Sequence, residues 1–248
     1  MKALITGASS GIGKDIAINL SNMGYEVILV ARNQNDLKKV ANICGAKAEI
    51  YKADLSKIDE CKKLFNKYKD IDVLVNNAGF GVFGEFIYSN LDKELNMVDL
   101  NVKSVLLLTK LYLKQMIKKD SGIILNVAST AAFLPGPLMS TYYSTKSFVY
   151  SLTTAIYEEL RRIKSNVKIS CLCPGPVNTN FNKVANVSFA FKGLSSSYVA
   201  KYAINKMLKG KLIIIPGFTN KILRLACKVA PLKLLLKIDY NIQKRKDK

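Results

Sequence analysis

The sequence predicts an α/β protein with a doubly wound parallel sheet of about seven strands, and three observations lead there. Short apolar runs alternate with amphipathic, helix-length segments from the first residues onward. Strand candidates such as Val27-Ile28-Leu29-Val30 and Leu212-Ile213-Ile214-Ile215 are apolar on both faces, as strands sandwiched between two helix layers are. A glycine-rich turn, Thr6-Gly7-Ala8-Ser9-Ser10-Gly11-Ile12-Gly13, joins the first strand to the first helix. At 248 residues, 49% of them hydrophobic, one long domain is expected rather than two small ones.

Taken in order, strand Lys2 to Thr6, helix Gly11 to Met23, strand Glu26 to Val30, helix Asn33 to Cys44 and strand Lys47 to Lys52 form a βαβαβ unit. The alternation continues with a helix from Ile58 to Tyr68, strand Val73 to Val75, a helix from Met97 to Lys119 and strand Ile123 to Val127. A helix from Thr141 to Ile163, strand Lys168 to Cys173, a helix from Tyr198 to Leu208 and strand Leu212 to Ile215 complete it. Residues 181–197 lack periodicity and contain Phe181, Val184, Val187, Phe189, Phe191, Gly193 and the run Ser195-Ser196-Ser197. Loops of that length are usually functional, and this one is expected to be a lid within a domain covering 1–219. Residues 220–248 form a basic amphipathic C-terminal extension: Ile222, Leu223, Leu225, Ala226, Val229 and Ala230 alternate with Lys221, Arg224 and Lys228, and a leucine-rich stretch follows Pro231.

Charge and composition narrow the chemistry. Histidine is absent, which excludes Ser-His-Asp and Cys-His catalysis and most zinc sites. The five cysteines (44, 61, 171, 173 and 227) form no CxxC pair, so reduced thiols are expected, with Cys171 and Cys173 a buried pair on one strand face rather than a metal site. No metal is expected. The net charge is +20, yet residues 161–248 carry 19 basic side chains against only Asp239 and Asp247. That asymmetry points to an anionic partner near the C-terminal third: a phosphorylated cofactor, a carrier-bound substrate, or a membrane surface touched peripherally through 220–248. No nucleic-acid recognition motif accompanies the charge, and nucleic acid is not expected. With no uncharged apolar run of 18 residues and a strand starting at Lys2, a cytoplasmic protein is expected, membrane-associated at most.

Turn glycines let the backbone approach a pyrophosphate, while the N-terminus of the following helix aims N–H groups at the anion. Far downstream, Tyr142 and Lys146 stand four positions apart on one helix face. Tyr202 with Lys206 and Tyr240 with Lys244 have the same spacing. Only Tyr142 follows a strand ending in a hydroxyl residue, Asn126-Val127-Ala128-Ser129, and opens a long helix. Tyr143 is a rival phenol, three positions from Lys146.

Together these residues resemble the short-chain dehydrogenase/reductase family, of the single-domain Rossmann type, over about residues 2–216. The resemblance rests on Thr6-Gly7-x-x-x-Gly11-x-Gly13, Asp54-Leu55, Asn76-Asn77-Ala78-Gly79, Asn101, Ser129, Tyr142-x-x-x-Lys146 and Pro174-Gly175. It selects Tyr142 over Tyr143 and implies a catalytic set of Asn101, Ser129, Tyr142 and Lys146. It also implies a nicotinamide dinucleotide held by Gly7, Ser9, Ser10, Gly11, Ile12, Gly13, Arg32, Asp54, Leu55, Asn77, Ala78, Gly79, Tyr142, Lys146, Pro174, Gly175, Val177 and Thr179. Within that set Asp54 should contact the adenine and Thr179 the carboxamide, Lys146 the nicotinamide ribose, while Asn101 should hold a water linking Lys146 to solvent. Homodimers or homotetramers are usual in the family, and the helix face at Val102, Val105, Leu106 and Leu111 is a candidate seam.

The second strand ends Val30-Ala31-Arg32-Asn33. Ala31 offers no carboxylate for ribose hydroxyls and Arg32 offers a guanidinium fork for a 2′-phosphate, which favours NADP(H) over NAD(H). The uncharged stretch Ala131 to Met139 should flank the reacting carbonyl together with the lid, giving an apolar pocket. Phe133 to Lys146 and the basic tail resemble the branch with 3-ketoacyl and hydroxysteroid-type reductases. The expected activity is NADPH-dependent reduction of a ketone or aldehyde on an apolar, acyl or lipid-like substrate, free or carrier-bound. The alternatives are an NAD(P)+-dependent alcohol dehydrogenase in the oxidative direction and a non-catalytic dinucleotide-binding protein.

Overall fold

A computed structural model describes residues 1–179, 181 and 193–244. Strands β1 (Lys2–Thr6), β2 (Glu26–Ala31), β3 (Ala48–Lys52), β4 (Val73–Asn76), β5 (Ile123–Val127) and β6 (Lys168–Leu172) form one parallel sheet with the short β9 (Ile213–Ile214). The order is β3-β2-β1-β4-β5-β6-β9, so the chain works outward from β1 and returns beside it at β4, opening a crevice at the strands' carboxyl ends. A separate two-stranded pairing joins β7 (Val177–Asn178) to β8 (Leu194–Ser195).

Helices α1 (Gly11–Asn22), α2 (Gln34–Cys44) and α7 (Ser196–Leu208) cover one face; α3 (Ile58–Lys67), α5 (Ser104–Lys119) and α6 (Ser140–Arg162) cover the other. Successive strand residues serve opposite cores. Ala3, Ile5, Val27 and Leu29 join Ile16, Leu20 and Met207, whereas Leu4, Ile28 and Val30 join Leu64, Leu108 and Tyr112. That two-sided burial is why these strands read as unbroken apolar runs.

The expected helix from Met97 to Lys119 is differently built. A helix α4 (Leu91–Val98) starts earlier, capped by the Asn90 side chain on Lys93 N–H, and a π-helical turn at Asp99–Lys103 precedes α5. Leu91 and Leu95 are exposed and Met97 is the buried residue of α4, a helix of eight residues, shorter than the periodic run that marks a helix in sequence. The C-terminal segment forms α8 (Phe218–Val229) and α9 (Leu232–Lys244), starting two residues before the expected boundary. Most of the expected lid, 182–192, lies outside the described residues. Of the candidate seam, Val105 is buried in the chain's own core, while Leu106 is exposed.

Candidate active site

Three helices begin with side-chain caps: Asn33 accepts from Asn35 and Asp36 N–H, Asn90 from Lys93, and Ser195 from Tyr198. Helix α1, like α6 and α8, has neither a side-chain cap bond at its N-cap, here Ser10, nor an acidic residue in its first turn. Its opening N–H groups therefore remain available at the sheet's crevice. Gly7 sits at φ +66°, and a Cβ on Gly13 would lie 2.4 Å from the Gly7 carbonyl oxygen, so turn and helix close to a distance only glycine permits. Thr6 locks this turn to the next strand. Its hydroxyl donates to the Val75 carbonyl (3.2 Å) and accepts from Asn77 and Ala78 N–H (2.9 and 3.0 Å), which uses its full bonding capacity. Asn77 Nδ2 returns to the Thr6 carbonyl (3.0 Å), and Asn76 binds Thr109 and Asn126 in a buried network.

These elements open onto one cleft of about 990 Å³. Of the residues expected at a dinucleotide, all but Gly13 line it, from Gly7 through Arg32 and Asp54 to Thr179. Gly13 lies just beneath, against Gly7. Asp54 Oδ1 accepts from Ser56 N–H and Oγ, and Arg32 is exposed at the cleft's edge. Open helix N–H groups, a glycine cradle and a guanidinium make a donor set suited to a phosphorylated dinucleotide.

Ser129, Tyr142 and Lys146 meet in the same cleft. Ser129 Oγ accepts from Ala131 N–H (3.1 Å) and makes only a long 3.4 Å contact to the Pro174 carbonyl. Burial pushes the Tyr142 phenol up to about 12, with the neighbouring Ser129 hydroxyl pulling the other way. Lys146 is buried, donates to the Val127 carbonyl at 3.0 Å, and lies 5.8 Å from the Tyr142 ring centroid. Burial pulls its ammonium down to about 8. Cys171 and Cys173 form the expected buried pair, with sulfurs 3.7 Å apart.

Asn101 does not line the cleft. Buried in the π-helical turn, it donates from Nδ2 to the Phe80 carbonyl (2.9 Å) and Thr145 Oγ1 (3.1 Å), and accepts from Phe80 N–H (3.2 Å). Thr145 in turn donates to the Tyr142 carbonyl at 2.7 Å, so Asn101 ties the π-helical turn to the first turn of α6. Phe133, expected at the carbonyl, packs edge-on against Tyr150 instead, while Leu134 and Met139 line the cleft. Phe181 also lines it, 5.4 Å ring to ring from Tyr142. Sequence reasoning did not place Leu223, Asp239, Ile242 or Gln243 here, yet α8 and α9 bring them to the cleft, with Gln243 donating to the Tyr143 hydroxyl.

Fold and site define a doubly wound, dinucleotide-type oxidoreductase scaffold. The chain belongs to the short chain dehydrogenase family, whose sequence pattern matches residues 1–188. An uncharacterized oxidoreductase of Staphylococcus epidermidis is 34% identical over 71% of this chain and 78% of that protein. A very-long-chain 3-oxoacyl-CoA reductase-B of Danio rerio is 32% identical over 73% of this chain and 61% of that one. Among solved structures, a short-chain dehydrogenase from Sphingobium yanoikuyae in complex with NADPH superimposes with a TM-score of 0.83 at 26% identity, covering 88% of each chain.

Proposed function

We propose that the protein is an NADPH-dependent oxidoreductase that reduces a ketone or aldehyde on an apolar, acyl or lipid-like molecule to the alcohol. The observation that carries this reading is the continuity of one cleft from the open end of α1 and Arg32 to Ser129, Tyr142 and Lys146. A nicotinamide dinucleotide bound there supplies the hydride. Tyr142 gives its proton to the carbonyl oxygen as negative charge grows on it. At neutral pH a phenol pushed up to about 12 holds that proton, the state reduction requires. Ser129 can exchange its long contact with Pro174 for a hydrogen bond to the same oxygen, and the Lys146 ammonium stabilises charge left on the phenol. Asn101 acts as a positioning residue through Thr145.

Arg32 beside Ala31 supports NADPH, as does the likeness to the NADPH-bound Sphingobium structure. Leu134, Met139, Phe181, Leu223 and Ile242 around the carbonyl end support an apolar substrate, and so does the name of the acyl-CoA reductase relative. The test is a panel of carbonyls of increasing chain length, free and as thioesters, followed by loss of NADPH absorbance. Tyr142→Phe should keep NADPH binding and lower turnover by about 10²- to 10⁴-fold, the usual contribution of a positioned acid; Tyr143→Phe should be mild. Equal turnover by wild type and Tyr142→Phe would overturn the assignment, and turnover of alcohols with NAD+ alone would reverse the direction.

A further inference from the structure

The two C-terminal helices are inside out. Helix α8 buries none of its residues, and Phe218, Ile222, Leu225 and Val229, spaced four, three and four apart, form one stripe that is 53–77% exposed. Its Arg224 turns inward instead, donating to the Tyr150 hydroxyl at 3.2 Å and lying over the Phe133 ring. Helix α9 repeats the inversion. Its buried residues are Asp239 and Gln243, one turn apart, while Leu232, Leu234 and Ile238 are exposed. A helix designed to face water has the opposite arrangement, so an apolar medium outside the chain is what these faces suit.

The charges around them say which medium. Lys221, Lys228, Lys233 and Lys237 punctuate the exposed leucines, α8 contains no acidic residue, and the single acidic residue of α9, Asp239, is on the buried side. A second copy is a poor occupant, since each chain carries +20 and a two-fold contact would set lysines against lysines. Among the described residues no helix is long and apolar enough to cross a membrane. We infer that the outer face of α8 and α9 docks on a bilayer bearing anionic headgroups, its leucines at the acyl boundary and its lysines among the phosphates. This docking is independent of the reaction proposed above. It places the bilayer against the two helices whose opposite sides, through Leu223 and through Asp239 and Gln243, wall the cleft.

The experiment is co-sedimentation of the full-length protein with vesicles of phosphatidylcholine alone or with added phosphatidylserine. Binding is expected only with phosphatidylserine and should weaken as salt rises. Ile222→Asp with Leu225→Asp removes two exposed apolar contacts and should lower partitioning by about tenfold or more, with unchanged circular dichroism and urea midpoint. Should that variant fold poorly, Lys221→Gln with Lys228→Gln should lose binding as well. Absence of pelleting at low salt overturns the inference, as does binding that the aspartates leave intact, which would be charge attraction without docking. A particle mass near twice that of one chain by light scattering, halved by the aspartates, would assign the face to self-association and overturn it too.

Discussion

Lys146→Met should leave the ligand-free protein as stable as the wild type or more so near pH 7, and should lose that advantage as pH rises toward 10. Burial pulls the Lys146 ammonium from 10.5 down to about 8, and the side chain is only 6% exposed. Between those values the unfolded chain binds the proton and the folded chain does not, so stability rises with pH across that window. Below it the buried charge costs about 3 kcal/mol, from a shift of roughly 2.5 units at 1.36 kcal/mol each, falling to about 1 kcal/mol by pH 10. Methionine removes that penalty but leaves the Val127 carbonyl, now bonded at 3.0 Å, without its donor, a loss of about 1–3 kcal/mol at any pH. The informative quantity is therefore the stability gap between variant and wild type, in which other titrating groups cancel. Urea unfolding at intervals from pH 7 to 10 should find the variant's relative stability declining by about 2.5 kcal/mol as the wild type recovers. A gap that stays flat over this range would mean that Lys146 is not a desolvated cation, and the electrostatic argument for its place beside Tyr142 would fail.

Two further outcomes test the ends of the cleft. Arg32→Ala should weaken NADPH by about 1.5–3 kcal/mol, the range for a hydrogen bond to a charged group, and leave NADH nearly unchanged in fluorescence titrations; equal losses would exclude a 2′-phosphate contact. Asn101→Leu should lower stability by about 2–4 kcal/mol, because it leaves the Phe80 N–H and carbonyl unpaired, and a loss under about 1 kcal/mol in urea would refute the positioning role.

The sheet was legible because its central strands are buried on both faces: Leu4 and Ile5 belong to different cores yet both must be apolar. The glycine turn was legible for a backbone reason, the contact that a Cβ on Gly13 would make. Helix α4 was missed because it is only eight residues long and buries Met97 alone, and the π-helical turn because one added residue in a helix leaves no compositional mark. Asn101 was legible only as a member of the family pattern; its bonds to Phe80 and Thr145 join segments far apart in sequence and leave no local mark. The missed wall at Asp239 and Gln243 did have a signal. Two polar residues one turn apart in a leucine-rich helix mark a face that differs from the rest, and here that face is the buried one.

That inversion also explains how one helix start can serve two partners. Tyr142 and Tyr143 are consecutive, so on α6 they point about 100° apart. The first turns to Ser129 and Lys146; the second accepts a hydrogen bond from Gln243 of α9. Their rings remain in edge contact, with centroids 6.1 Å apart. The position of α9 is thus linked through Gln243 and Tyr143 to the ring of Tyr142. Because packed side chains transmit displacement rather than absorb it, a shift of α9 at Gln243 reaches the Tyr142 ring through two side-chain contacts. The glycine turn is fixed at β1 and α1, with Thr6 tied to Asn77 and Ala78, whereas the Tyr143 side of the cleft depends on a helix about 100 residues further along the chain, and variation in that helix can reshape that wall without disturbing the glycine turn.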